Sequence, residues 1–276
     1  MLKTRVATAA VLLIVAVGAL VWSSTAFAVV VTALLGFALA EWLQLTGATR
    51  SASIVVALIV SAVLLAVLLA SSNTIDAVVL PLAAVAVAIW LAIVVLLLQP
   101  RAMTLRLPRI VGMALAVVLV LAAWFALMRF LSQGVLALLS VLLIVWIADT
   151  AAYFAGRAFG RRKLAPHISP GKTWAGVTGA ILAVLLLALV IWLFVPDPRI
   201  YSNGLFASVG PAFALFLLAL LVVLSIAGDL FESLLKRQAG VKDSGQLLPG
   251  HGGVLDRVDA MVPLLPSAVV IQWLVR

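Results

Sequence analysis

Continuous apolar runs of roughly 20 residues, separated by short polar turns, fill most of this chain, and a run of that length spans the hydrocarbon of a bilayer as a helix. Such runs fall at residues 6–22, 25–45, 52–70, 75–98, 109–131, 134–155, 174–195, 209–227 and 260–275. Backbone groups in hydrocarbon must be satisfied within their own segment, so each run is predicted to be a helix. An outer-membrane barrel would alternate polar and apolar positions along its strands, and these runs do not. The pattern predicts an all-α, polytopic membrane protein with about nine helices in a single domain, residues 1–276. Residues 1–131 supply helices alone. Residues 132–276 carry the helices and the long polar connections 156–173 and 228–259.

Composition removes the alternatives to a membrane protein. Of 276 residues 66% are hydrophobic and only 10% are charged, against about 25% charged in a soluble domain. There is no cysteine, which excludes disulfides and thiolate metal sites. The net charge of +9 could suggest nucleic acid, but its placement says otherwise.

With the N-terminus in the cytoplasm, fifteen of the 18 Lys and Arg fall on one side of the membrane, among them Lys3, Arg5, Arg50, Arg101, Arg106 and Arg109. Only Arg129, Arg199 and Arg276 fall on the other. Cytoplasmic loops carry the basic excess, so the N-terminus is expected inside and the C-terminus outside. The charge is then mainly a topology signal, with contact to anionic lipid or nucleotide as its second use. Lys3, Arg5 and Ala26-Phe27-Ala28 resemble a signal peptide, yet apolar sequence continues to Leu45, which argues against cleavage.

The acids are not spread evenly. Five of the nine lie between Asp229 and Asp259, interleaved with Lys236, Arg237, Lys242, His251 and Arg257. Charge is costly in a bilayer, so this concentration marks the candidate site. Asp229, Glu232, Ser233 and Lys236 share one helical face, and Asp256 and Asp259, three apart, would share another and could hold one cation. Carboxylates beside hydroxyl and carbonyl oxygens suit a hard cation such as Mg²⁺. The two histidines, His167 and His251, have no zinc-ligand spacing. The run Pro249-Gly250-His251-Gly252-Gly253 adds backbone that can approach a ligand closely.

The other polar connection contains Ser169-Pro170-Gly171-Lys172-Thr173 just before a helix. Gly-Lys-Thr is part of a phosphate-binding P-loop pattern, but Pro166 stands where that pattern needs its first glycine. What remains is an anion-favouring helix N-terminus with Ser169, Lys172 and Thr173, or else an ordinary cap with a snorkelling lysine. Asp149 and Tyr153 lie one turn apart near the same end of the sixth helix, and Asp149 is either a supporting acid or a satisfied helix contact. Gly156 and Gly160 read as close helix packing.

From Ser233 the run continues through Lys236-Arg237, Lys242-Asp243, Gly245 and Leu248-Pro249-Gly250-His251-Gly252-Gly253 to Asp256-Arg257-Val258-Asp259. It is similar throughout to the signature of the phosphatidate cytidylyltransferases, also called CDP-diacylglycerol synthases. The stretch from Trp146 to Trp174 resembles the same family, with Ala175 departing from the polar residue usual there. The first 130 residues resemble it only in being membrane helices.

The resemblance implies that CTP and phosphatidate give CDP-diacylglycerol and pyrophosphate at the inner membrane, with Mg²⁺ required. It implies a metal site of Asp229, Asp256 and Asp259, with a monovalent cation such as K⁺ as a second ion. Lys236, Lys242, Asp243, His251 and Arg257 complete the expected catalytic group. Asp149, Tyr153, Ser169, Lys172, Thr173, Ser233, Arg237, Gly252 and Gly253 are expected to bind substrate. No nucleic-acid partner is expected, and a homodimer is left open.

A phosphate monoester is largely dianionic at neutral pH, so attack on the α-phosphorus needs no strong general base. Positioning and charge neutralisation would carry the reaction. Two alternatives fare worse. A CDP-alcohol phosphotransferase needs a D-G-x-x-A-R run, which is absent, and an ion-coupled transporter needs paired half-repeats, whereas the acids here belong to one loop.

Overall fold

The computed structural model describes every residue except Met1, Ser71, Pro100, Arg101 and Leu105, and it leaves out the side chains of residues 2–7, 9, 72 and 73. Lys3, Arg5 and Arg101, assigned above to the cytoplasmic side, therefore lie outside the described residues and side chains. Helices α1 (Leu2–Trp22), α2 (Ser24–Leu45), α3 (Arg50–Ala70), α4 (Ser72–Leu97), α5 (Arg109–Ser132) and α6 (Val135–Phe159) come first. A hairpin of β1 (Lys163–Ala165) and β2 (Ser169–Thr173) follows, then α7 (Trp174–Phe194), α8 (Tyr201–Gln238), α9 (Leu255–Val258) and α10 (Met261–Leu274).

Among the described residues eight helices are long and apolar enough to cross a membrane, counting Leu255–Leu274 as one. In α1 the apolar stretch Ala10–Trp22 is shorter. The chain is a multi-pass helical membrane protein, with eight such helices where the sequence predicts about nine.

Two departures from the sequence reading matter for the site. The fold is not wholly helical, because β1 and β2 pair antiparallel in the connection 156–173. The connection 228–259 is also less of a loop than expected, since α8 continues through it as far as Gln238. Near its other end α8 is interrupted at Gly210, whose φ of +76° suits glycine, and Pro211 follows without an N–H to donate. Asn203 belongs to the helical segment before this break, where its Nδ2 donates to the carbonyls of Val195 and Asp197.

The elements around the site are packed by long-range contacts. Helix α10 lies against α4, α5 and α8, α6 lies along α7, and α2 lies against α3 and α5. Phe231 on α8 packs its ring against Trp42 of α2 and Trp90 of α4, with centroids 6.0 and 5.8 Å apart. Trp124 Nε1 donates to Thr32 Oγ1 at 2.8 Å, a buried bond from α5 to α2. These contacts fix the roll of α8, and hence the direction taken by Glu232, the neighbour of Phe231.

Polar groups collect at both ends of the bundle. At one end Arg129 pairs with Asp76 at 2.9 Å and Arg199 with Asp197 at 2.6 Å. The hydrogen bonds from Arg199 bring the Asp197 carboxyl down to about 2. The other end holds the hairpin, the end of α8, the start of α9 and the last turns of α2 and α6.

Candidate functional site

Asp229, Glu232 and Asp259 offer carboxylate oxygens that lie within 4.8 Å of one another. Asp229 and Glu232 come from one face of α8, as their i, i+3 spacing requires, and Asp259 comes from the turn between α9 and α10. Gly228 permits this approach, since a Cβ there would run into the Asp259 carbonyl and lie 2.7 Å from Pro263 Cγ. Gly228→Ala is expected to push α10 off α8, destabilising the fold by about 1–3 kcal/mol and lowering turnover. Thermal unfolding in detergent, measured beside the rate, checks this.

Lysines hold the flanks of the cluster. Lys172 Nζ on β2 lies 2.5 Å from Asp229 Oδ2. Lys236 Nζ lies between Glu232 Oε2 at 2.5 Å and Asp256 Oδ1 at 2.6 Å. Ser233 Oγ is 3.5 Å from Asp229 Oδ1.

Spacing lets Asp256 and Asp259 share a cation, and the structure groups Asp259 with Asp229 and Glu232, while Asp256 meets a set of donors of its own. Asp256 Oδ2 accepts from Gly253 N at 2.8 Å, Ser244 N at 3.0 Å and Ser244 Oγ at 3.1 Å, while Oδ1 takes Lys236. With its oxygens occupied in this way, Asp256 stands outside the carboxylate group, and Glu232 takes the place expected for it.

Glu232 is buried at 4% exposure, with the Lys236 ammonium and the Asp256 carboxyl as its polar neighbours. Three carboxylates with one oxygen pair so exposed to each other's charge are a donor set that a hard divalent cation fits.

Two cavities lie in this region, one of them bordered by Asp229. One, of about 520 Å³, is lined by Asp149, Tyr153, Ser169, Gly171, Lys172 and Asp229, with Ala152, Val177 and Ile226 as apolar wall. The other, of about 750 Å³, is lined by Lys242, Asp243, Gln246, His251, Gly252 and Arg257. Both fall in the size range of small-molecule sites. Gly252, with φ of +81°, brings the second cavity against Asp256, because a Cβ there would sit 2.7 Å from Asp256 Oδ2.

Several expected substrate ligands have structural roles. Thr173 is buried, and its hydroxyl caps α7 by accepting from Gly176 N at 3.1 Å, so the cap alternative describes it. Gly156 and Gly160 pack against that same threonine. Arg237 Nε donates to the Ile168 carbonyl at 3.4 Å and ties α8 to the hairpin. Tyr153 accepts from Arg157 at 3.1 Å. Gly253 donates to Asp256, and Arg257 reaches back to the His251 carbonyl at 2.6 Å. The imidazole Nδ1 of His251 has no hydrogen-bond partner among the described residues.

The sequence reading gave no role to Glu41 or Ser244, both of which are buried here. Nor did it place Glu232 among the metal ligands, although the residue was on the stripe. Glu232's membership of the α8 face was the available signal. For Glu41, a lone acid on an apolar helix, the sequence carried no signal of a partner 200 residues away.

The family described as "Cytidylyltransferase family" matches residues 3–275. A phosphatidate cytidylyltransferase of Pseudomonas aeruginosa is 39% identical over 278 residues, covering 99% of this chain and 97% of that protein. One of Haemophilus influenzae is 46% identical over 134 residues, covering 49% of this chain but only 44% of its own length. One of Brucella suis is 50% identical over 119 residues, covering 43% and 40%.

Proposed function

Since the chain belongs to the cytidylyltransferase family, we propose that it condenses CTP with phosphatidate, giving CDP-diacylglycerol and pyrophosphate. The observation that carries this reading is the carboxylate cluster of Asp229, Glu232 and Asp259, with one cavity bordered by Asp229 and a second, more polar one lined by Lys242, His251 and Arg257. One cavity is polar and reached from water. The other has an apolar wall and lies between α6 and α7, which expose Phe154, Leu182 and Leu186 to the surroundings. A water-soluble nucleotide and a lipid headgroup need these two kinds of access.

Asp229, Glu232 and Asp259 would hold Mg²⁺, which supplies charge neutralisation to phosphate oxygens and to the pyrophosphate leaving group. In the polar cavity Lys242 and Arg257 attract the triphosphate, and the unpartnered Nδ1 of His251 is available to orient it. In the other, Ser169 and Lys172 receive the phosphate of the lipid, and the acyl chains lie along α6 and α7. Lys172 is already drawn to Asp229, so a phosphate bound by the lysine would free Asp229 to help hold the cation. The lipid phosphate attacks as its dianion and transfers no proton to the protein.

The site is assigned to the cytoplasmic face of the inner membrane, with the N-terminus inside. The charge bias supports this, since Arg129, Arg199 and Arg276 line cavities at the opposite end of the bundle. Purified protein given radiolabelled CTP, phosphatidate and Mg²⁺ is expected to move label into a chloroform-soluble product, and excess chelator is expected to abolish the transfer. Label that stays in the aqueous phase overturns the reading.

A further inference from the structure

The carboxylate of Glu41 lies on α2, remote in sequence from the catalytic half, yet it accepts three hydrogen bonds from the polar loop. Oε1 takes Val254 N at 3.1 Å, and Oε2 takes Leu255 N at 2.8 Å and Ser244 Oγ at 2.9 Å. Helix α9 begins at this point with Val254 as its N-cap, a residue whose side chain cannot accept a hydrogen bond. Glu41 supplies the missing acceptor from another helix. It is also buried, at 8% exposure, so losing these donors would leave a charge with little water to replace them.

The loop is shaped around this carboxylate. A Cβ on Gly245 would strike Glu41 Oε1, and one on Gly253 would strike both Glu41 Oε2 and Ser244 Oγ. Ser244 lies between two acids, with its hydroxyl 2.9 Å from Glu41 and 3.1 Å from Asp256, and its backbone N–H donates to Asp256 at 3.0 Å. The same few residues that grip Glu41 therefore orient Asp256, and through Lys236 they reach Glu232.

We propose that Glu41 is a positioning residue which clamps the 244–255 segment onto α2 and so fixes Asp256 and Lys236 beside the carboxylate cluster. The proposal rests on the reaction assigned above for its kinetic consequence, but its structural part does not depend on that reaction. Anchoring groups of this kind usually contribute about 10- to 100-fold to activity.

The test uses the full chain in detergent, with a nitroxide on Leu247→Cys. The protein has no native cysteine, and Leu247 is exposed and does not line the polar cavity. Glu41→Gln presents an amide NH₂ to backbone donors and is expected to lower turnover about 10- to 100-fold while the nitroxide spectrum becomes more mobile. Glu41→Asp keeps the acceptor and is expected to recover part of both. Glu41→Gln with near-native turnover, or with turnover lost while the label stays immobile, overturns the clamp. Failure of the aspartate to restore either readout above the glutamine variant also overturns it. A native protein that converts no CTP removes the assigned reaction, and the label's mobility then decides the clamp by itself.

Discussion

Asp259→Asn is expected to reduce CTP-dependent turnover by roughly 10³-fold while the protein still inserts and unfolds near the native temperature. Asparagine preserves the shape of the side chain and its carbonyl can still accept from Ala260 N, the 2.8 Å bond that Asp259 makes now. What disappears is one of the three carboxyl groups that Asp229, Glu232 and Asp259 bring together. A hard cation held by carboxylates depends on that charge, so excess Mg²⁺ should recover part of the rate. Near-full turnover of Asp259→Asn would remove the cluster as the metal site.

The second large effect is expected at Lys236. Its ammonium joins Glu232 at 2.5 Å and Asp256 at 2.6 Å, with side-chain exposures of 14% for the lysine and 5% and 9% for the acids. Removing one partner from a buried ionic group costs about 3–5 kcal/mol, because the remaining charge has neither partner nor water. Lys236→Met keeps the length of the stem and should lose that stability together with at least a hundredfold in turnover. Adding Asp256→Asn should restore part of the stability without restoring activity. Thermal unfolding and initial rates on the two variants separate the effects, and additive losses in stability would contradict the pairing.

The helices could be read from the sequence because lipid demands unbroken apolar runs, a stricter requirement than any soluble core imposes. The polar stripe of Asp229, Glu232, Ser233 and Lys236 was legible for a similar reason, since helical spacing survives into α8 whether or not the membrane does. The end of α8 was not, because hydropathy marks where a helix leaves lipid and says nothing about where it stops. The hairpin also escaped notice. Its strands are short, and Ser169-Pro170-Gly171-Lys172-Thr173 has the composition of a turn. Spacing gives Asp256 and Asp259 a shared face but not the competing donors. Ser244 N, Gly253 N and Lys236 Nζ claim one acid and leave the other. Glu41 shows the same limit in reverse, as an acid whose partners lie more than 200 residues away.

From Pro211 to Gln238, helix α8 is one rod of roughly 42 Å, in which the stretch before Asp229 is apolar and the remainder carries the acids. The height of those acids is thereby set by the thickness of the surrounding lipid. In vesicles of longer-chain phospholipid the first of them would be drawn below the headgroups, and in thinner ones the whole cluster would stand clear of them. Turnover is therefore expected to pass through a maximum as host acyl length varies, making the enzyme responsive to the dimensions of the membrane it helps to build.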